Sequence, residues 1–201
     1  MIEFIKGKLD TLNATYAVVD CGGVGYMANI SLNTYSALEG KEEAKLYIHE
    51  VIREDAYQLF GFATTGEREV FRLLTSVSGV GAVTARLMVS AMTPAELKSV
   101  IMGENVNALK GIKGLGQKTS ERIIVELKDK IGKLDIEGGA TASTLPGLAA
   151  AASPVKDDTL QALEAMGYNK AQASKVIDKI LSENPDFKVQ DVFKMALKML
   201  R

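Results

Sequence analysis

The chain contains one cysteine, one histidine and no tryptophan in 201 residues. A lone Cys21 excludes an internal disulfide framework and a cysteine-rich zinc site, and it fits a compartment where thiols stay reduced. A lone His49 excludes a multi-histidine metal centre. No apolar run approaches the ~18 residues needed to cross a bilayer, and the N-terminal MIEFIKGKLD lacks the apolar core of a signal peptide. These absences predict a cytoplasmic protein with no cofactor and no membrane association, in which Cys21 and His49 are structural. A charge excess is missing as well. The 24 Lys and Arg are set against 25 Asp and Glu, a balance that taken whole gives no reason to expect a nucleic-acid partner.

What is present is unevenly distributed. Residues 1–63 hold 5 basic and 9 acidic residues, residues 64–132 hold 10 and 7, and residues 133–201 hold 9 and 9. The basic excess is confined to the middle third. Exposed charges act over roughly 8–10 Å at physiological salt, so a local excess matters more to a phosphate than the whole-chain sum.

The hydrophobic period changes in the same places. Met1–Leu9, Tyr16–Cys21, Tyr26–Ser31, Lys45–Arg53 and Tyr57–Phe62 read as five strands, with Gly22, Gly23 and Gly25 in a tight hairpin and Leu32–Leu38 as a short helical turn. Five strands in about sixty residues predict a small OB-like barrel, with an SH3-like barrel as the competing topology. From residue 66 the period is helical, beginning with Val70, Leu73, Leu74 and Val77 on one face, and at least four short helices follow. Thr93-Pro94-Ala95-Glu96 is a capping box with proline at the first helical position. Residues 138–154, GGATASTLPGLAAAASP, have the composition of a flexible linker. Beyond it, Asp157 or Asp158 is the expected N-cap and Gly167 the C-cap of the first of three helices. The last of these carries Val189, Val192, Phe193, Ala196, Leu197 and Leu200 on one stripe. The expected architecture is therefore multidomain, β then α: an OB-like barrel (1–63), a helical domain (64–137), a linker (138–154) and a three-helix domain (155–201).

The helical middle repeats itself. Leu74-Thr75-Ser76-Val77-Ser78-Gly79-Val80-Gly81 aligns with Leu109-Lys110-Gly111-Ile112-Lys113-Gly114-Leu115-Gly116 at an offset of 35 residues, and each glycine turn leads into an apolar-periodic helix. Two such copies resemble a tandem helix-hairpin-helix, a motif that grips DNA backbone without reading sequence. Gly79, Gly81, Gly114 and Gly116 allow close approach of the main chain to a phosphate, and the following helix N-termini present free N–H groups to it. Val80 and Leu115 would anchor each hairpin in the core, while Lys118 and Arg122, at i and i+4 on the second helix with Thr119 beside them, would add charge toward the same phosphates. A single Gly-x-Gly is usually only a turn; a repeated one with a basic excess reverses that judgement. Gly111, Gly116, Lys118 and Thr119 come close to a Walker A loop, but Gln117 intervenes and no parallel-sheet context precedes them.

Taken together, Gly22-Gly23-Val24-Gly25-Tyr26, Arg53-Glu54-Asp55-Ala56 with Leu59-Phe60-Gly61-Phe62, the two glycine turns, and Ala162-Leu163-x-x-Met166-Gly167-Tyr168 resemble the RuvA family of Holliday-junction branch-migration subunits over the full length. The resemblance implies a non-catalytic scaffold that holds a four-way junction open and nearly flat in recombination and repair. It also implies a homotetramer, which pairs to an octamer in some arrangements, and a hexameric ATPase partner, RuvB, with the RuvC resolvase as a further possible partner. It makes Glu54 and Asp55 an acidic pin at the junction centre, where spacing alone says only a polar turn. It makes Leu163, Met166, Tyr168 and Leu197 the candidate RuvB contact face, although leucines at helical spacing are more often core. The chain departs from the family in having Ala82-Val83-Thr84 and Gln117 where lysines are common, which predicts a shallower salt dependence of binding. Two other functions stay open on the residues alone. One is a base-excising enzyme with Asp129 as the nearest candidate acid after the second hairpin; the other is an adaptor that binds only proteins.

Overall fold

A computed structural model describes residues 1–134 and 154–200, which form two compact units, one on either side of the intervening segment. The expected linker at 138–154 lies outside the described residues except for Pro154.

The first unit begins with strands β1 (Phe4–Leu12), β2 (Tyr16–Asp20) and β3 (Gly25–Ile30), followed by helix α1 (Leu32–Leu38) and strands β4 (Glu43–Ile52) and β5 (Tyr57–Phe62). The sheet closes in the order β1-β2-β3-β5-β4. β3 pairs with β5 in parallel, while β4 pairs antiparallel with both β5 and β1. A five-stranded closed barrel with its helix between β3 and β4 and a parallel β3–β5 closure is the OB-like arrangement, so the SH3-like alternative is set aside. Alternate residues such as Ala17, Val19, Ala28, Ile30, Leu46, Ile48, Phe60 and Phe62 fill the interior. Closure demands a very close approach at Gly7, where a Cβ would lie 1.9 Å from the Asp20 carbonyl oxygen. Observed strand ends differ from the expected ones by up to three residues; β1 starts later and runs to Leu12 through a register shift between Leu9 and Thr11.

Five helices follow: α2 (Thr65–Thr75), α3 (Ala82–Ala91), α4 (Pro94–Met102), α5 (Val106–Lys110) and α6 (Gln117–Gly132). The Thr93 capping box is formed as the sequence predicts: Thr93 accepts from the Glu96 N–H while the Glu96 carboxylate accepts from the Thr93 N–H at 2.7 Å. Val70, Leu74, Val77, Leu97, Ile101, Leu109, Ile123, Leu127 and Ile131 bury the shared apolar face.

Barrel and helices are joined through polar groups as well as packing. Buried Glu67 of α2 accepts hydrogen bonds from the Ser31 hydroxyl and, at 2.8 Å, from the Thr34 hydroxyl at the start of α1. Buried Arg86 of α3 donates to the Thr15 carbonyl at 3.0 Å, and Asn33 donates to the carbonyls of Val89 and Met92. His49 packs edge-on against Phe71 of α2 at 5.4 Å, and burial beside Arg72 and Arg68 lowers its pKa. Cys21 donates to the Lys6 carbonyl. Both residues are placed structurally.

The second unit comprises α7 (Pro154–Ala165), α8 (Lys170–Glu183) and α9 (Val189–Met199). Its core is Leu163, Ala173, Ile177, Ile180, Val192, Phe193 and Ala196 with their neighbours. The expected N-cap at Asp157 or Asp158 is corrected. α7 starts at Pro154, because proline's fixed φ and missing N–H suit the first helical position, and Asp157 falls in the first turn where a carboxylate meets the positive helix end. Gly167 closes the helix as expected, with the Tyr168 N–H returning to the Leu163 carbonyl at 3.0 Å. Leu200, on the predicted stripe, is only half-buried at the frayed end.

Candidate nucleic-acid interface

The two glycine turns have the same backbone. In the first, Val77 N–H donates to Leu74, Val80 to Val77 and Ala85 to Gly81; in the second, Ile112 donates to Leu109, Leu115 to Ile112 and Ser120 to Gly116, each 35 residues on. Gly79 and Gly114 have φ of 91° and 87°, a region that a Cβ makes costly. Gly81 and Gly116 are the N-caps of α3 and α6, both at φ −81° with ψ of 167° and 170°.

These last two glycines are informative because nothing in the chain requires them. Their φ is ordinary, and a Cβ built on either meets no atom within 4 Å. A serine, threonine, aspartate or asparagine here would add a side-chain acceptor for the helix start, a gain of roughly a few tenths of a kcal/mol over glycine. Such caps are used elsewhere: Ser31, Thr64, Thr93, Asn105 and Asn169 each accept from their own helix. α3 and α6 have no side-chain cap and open instead on bare main chain. Their first-turn N–H groups and positive dipole ends are left to solvent or to an anion.

The hairpins also lie side by side. The Arg122 guanidinium donates to the Ser78 carbonyl at 3.3 Å, and the position of a Cβ on Gly114 is 3.8 Å from the Thr84 hydroxyl. Arg122 therefore braces the first hairpin from the second, and it also lies 3.7 Å from Glu126. Lys118 is exposed and Thr119 half-buried. Gln117 donates to Glu121 at 2.9 Å, holding that carboxylate beside the helix start.

Not every residue marked in the sequence reaches the surface. Val80 and Leu115 are buried and their N–H groups donate to the Val77 and Ile112 carbonyls, so they anchor the hairpins. Leu163 and Leu197 lie in the core of the second unit, as leucines at helical spacing commonly do, whereas Met166 and Tyr168 are half-buried. Asp129 is exposed on α6 and does not line the groove found in the first unit. Glu54 and Asp55 occupy the exposed β4–β5 turn, held by the Arg53 N–H donating to the Ala56 carbonyl at 2.8 Å.

Sequence comparison accounts for this combination of elements. Family models match residues 1–61 (RuvA N terminal domain), 71–129 (SAM-like helix-hairpin-helix tandem) and 154–201 (RuvA, C-terminal domain). The Holliday junction branch migration complex subunits RuvA of Bacteroides thetaiotaomicron and Bacteroides fragilis are 53% and 52% identical, and that of Porphyromonas gingivalis 43%, each over all of both chains. The chain belongs to the RuvA family. Within the chain, the barrel and the C-terminal helices correspond to the two family-specific models, and the paired hairpins to the shared helix-hairpin-helix model between them. The residues missed by sequence reasoning are Ser78 and Thr84, which meet the second hairpin through Arg122 and Gly114. Their only signal was position inside the repeat.

Proposed function

We propose that the chain binds four-way junction DNA through its two hairpins and serves as the non-catalytic scaffold of a branch-migration machine. The carrying observation is the pair of superposable helix starts, each capped by a glycine that neither backbone strain nor packing demands. A side chain at Gly81 or Gly116 would meet nothing but an incoming ligand, and the amides there suit a phosphate. Recognition of this kind follows backbone position and junction shape, with no base readout. Glu54 and Asp55, projecting from the barrel turn, repel phosphates at the centre of the junction once four copies assemble as a homotetramer or a paired octamer. ATP hydrolysis belongs to RuvB, which the C-terminal unit recruits and stimulates through a face including Met166 and Tyr168; RuvC is a further candidate partner. The setting is the cytoplasm, where recombination and repair of chromosomal DNA take place in bacteria.

The test is a gel-shift titration against a synthetic four-way junction and a linear duplex of the same sequence, with competitor DNA. The wild-type chain is expected to prefer the junction, and the double variant Gly81→Leu/Gly116→Leu to lose at least tenfold in affinity while retaining its circular dichroism spectrum. Equal weak binding of both DNAs, or an unaffected double variant, would remove the hairpins from the function.

A further inference from the structure

The two hairpins agree in backbone and disagree in charge. At the offset of 35 residues, Lys118 in the first turn of α6 corresponds to Val83 in the first turn of α3, and Ala82-Val83-Thr84 carries no cation. Val83 is 56% exposed, an apolar side chain standing where the other hairpin has an ammonium. A groove of about 320 Å³ opens beside it, with Gly81, Ala82 and Val83 from the hairpin and Arg53, Asp55 and Gln58 from the β4–β5 hairpin among its lining. Arg53 is exposed and makes no ion pair among the described residues, although Glu54 and Asp55 are its chain neighbours.

We propose that Arg53, carried by the barrel, supplies the cation of the first hairpin and binds the backbone phosphate addressed by the amides of α3. The inference rests on the hairpins being DNA-backbone sites, and it extends that site from the helical part of the unit onto the barrel. A guanidinium suits the role because its fixed fork donates two parallel N–H groups to phosphate oxygens. Its placement also answers an electrostatic difficulty. Asp55 borders the same groove, so without a cation between them a phosphate at the first hairpin would face an uncompensated carboxylate. Arg53 screens that carboxylate from the bound strand and leaves it to act on whatever lies beyond. The turn bearing Glu54 and Asp55 is thereby fastened beside a gripped strand.

Salt dependence reads this directly, because each phosphate neutralised by a cation contributes about 0.9 to the slope of log K against log salt. Anisotropy titrations of a labelled four-way junction with the full chain, repeated over a salt series, give the slope for each variant. Arg53→Ala is expected to flatten the slope by about 0.9 for each protomer engaged, about 3.6 for a tetramer on one junction, as Lys118→Ala does, and the double variant by about twice as much. Arg53→Lys should keep the wild-type slope, and Val83→Lys added to Arg53→Ala should restore it from the other wall of the groove. Adding Asp55→Asn to Arg53→Ala should recover part of the lost affinity without restoring the slope. A wild-type slope for Arg53→Ala while Lys118→Ala is flattened overturns the role of Arg53 and leaves the hairpin reading intact. If Lys118→Ala and Gly81→Leu/Gly116→Leu both bind like wild type, the hairpin reading fails, and the assignment of Arg53 fails with it.

Discussion

Glu67 is the third residue of α2, a position from which a carboxylate commonly folds back on its own helix start. Here the Thr64 hydroxyl accepts from the Glu67 N–H, but the Glu67 side chain turns to the barrel and takes hydrogen bonds from Ser31 and Thr34. Burial raises its pKa to about 7, with these hydrogen bonds opposing the shift only in part. The folded chain thus holds this proton more tightly than the unfolded one. The stabilisation is complete below about pH 4.5 and is lost as pH rises through about 7, by an amount on the order of 3 kcal/mol. Glu67→Gln keeps an acceptor and cannot ionise. The melting temperature of the variant minus that of the wild type is therefore expected to grow from about pH 5 to about pH 8, a difference in which other titrating groups cancel. Parallel melting profiles would place the proton elsewhere. Nothing in the neighbouring sequence announces this link, since Ser31 is 36 residues from Glu67 and the carboxylate reads locally as an ordinary first-turn acid.

Helix α7 shows how far an element can be read from its own residues. Its apolar spacing, the glycine closing it and the tyrosine beyond are all visible in Ala162-Leu163-x-x-Met166-Gly167-Tyr168. Spacing identifies a stripe, however, and whether α8 and α9 cover that stripe depends on their own docking. Leu163 is fully covered and Leu197 nearly so, whereas Met166 and Tyr168 are part-exposed at the helix end. The two kinds of position predict opposite phenotypes. Leu163→Ala should destabilise the C-terminal unit by about 2–5 kcal/mol through the cavity it leaves, measured by denaturant unfolding. Tyr168→Ala keeps the backbone bond to Leu163, so it should cost less stability than Leu163→Ala while lowering the yield of complex with purified RuvB. Loss of that complex only in variants that also unfold would remove Tyr168 from the contact face.

At the scale of the first unit, the exposed barrel turn that bears Glu54 and Asp55 stands beside the hairpin face proposed to bind phosphate, Asp55 lining one groove with Gly81, Ala82 and Val83. Glu54→Gln with Asp55→Asn removes two negative charges from an exposed turn, where the folding cost is small. The expected outcome is tighter binding to linear duplex and junction alike, with a smaller junction-to-duplex preference in a competition titration, because repulsion that penalises the wrong DNA shape has been removed. Unchanged preference would reduce the pair to the polar turn that their spacing suggests.

The periods, caps and glycine turns of this chain were readable in one dimension because each depends on groups no more than about five residues apart: alternation on a strand, an i to i+4 ladder, a hydroxyl reaching its own helix start. The 35-residue repeat belongs with them, since it is the same local geometry written twice, and so does membership of the RuvA family. Closure of the barrel by parallel β3 and β5, the burial of Leu163 and Leu197, the Arg122 brace on Ser78 and the presence of Arg53 beside Val83 had no such local signature. They join residues far apart in the chain, and such contacts are settled by the combined packing of all the elements at once, where many small energies compete and no short segment holds the answer.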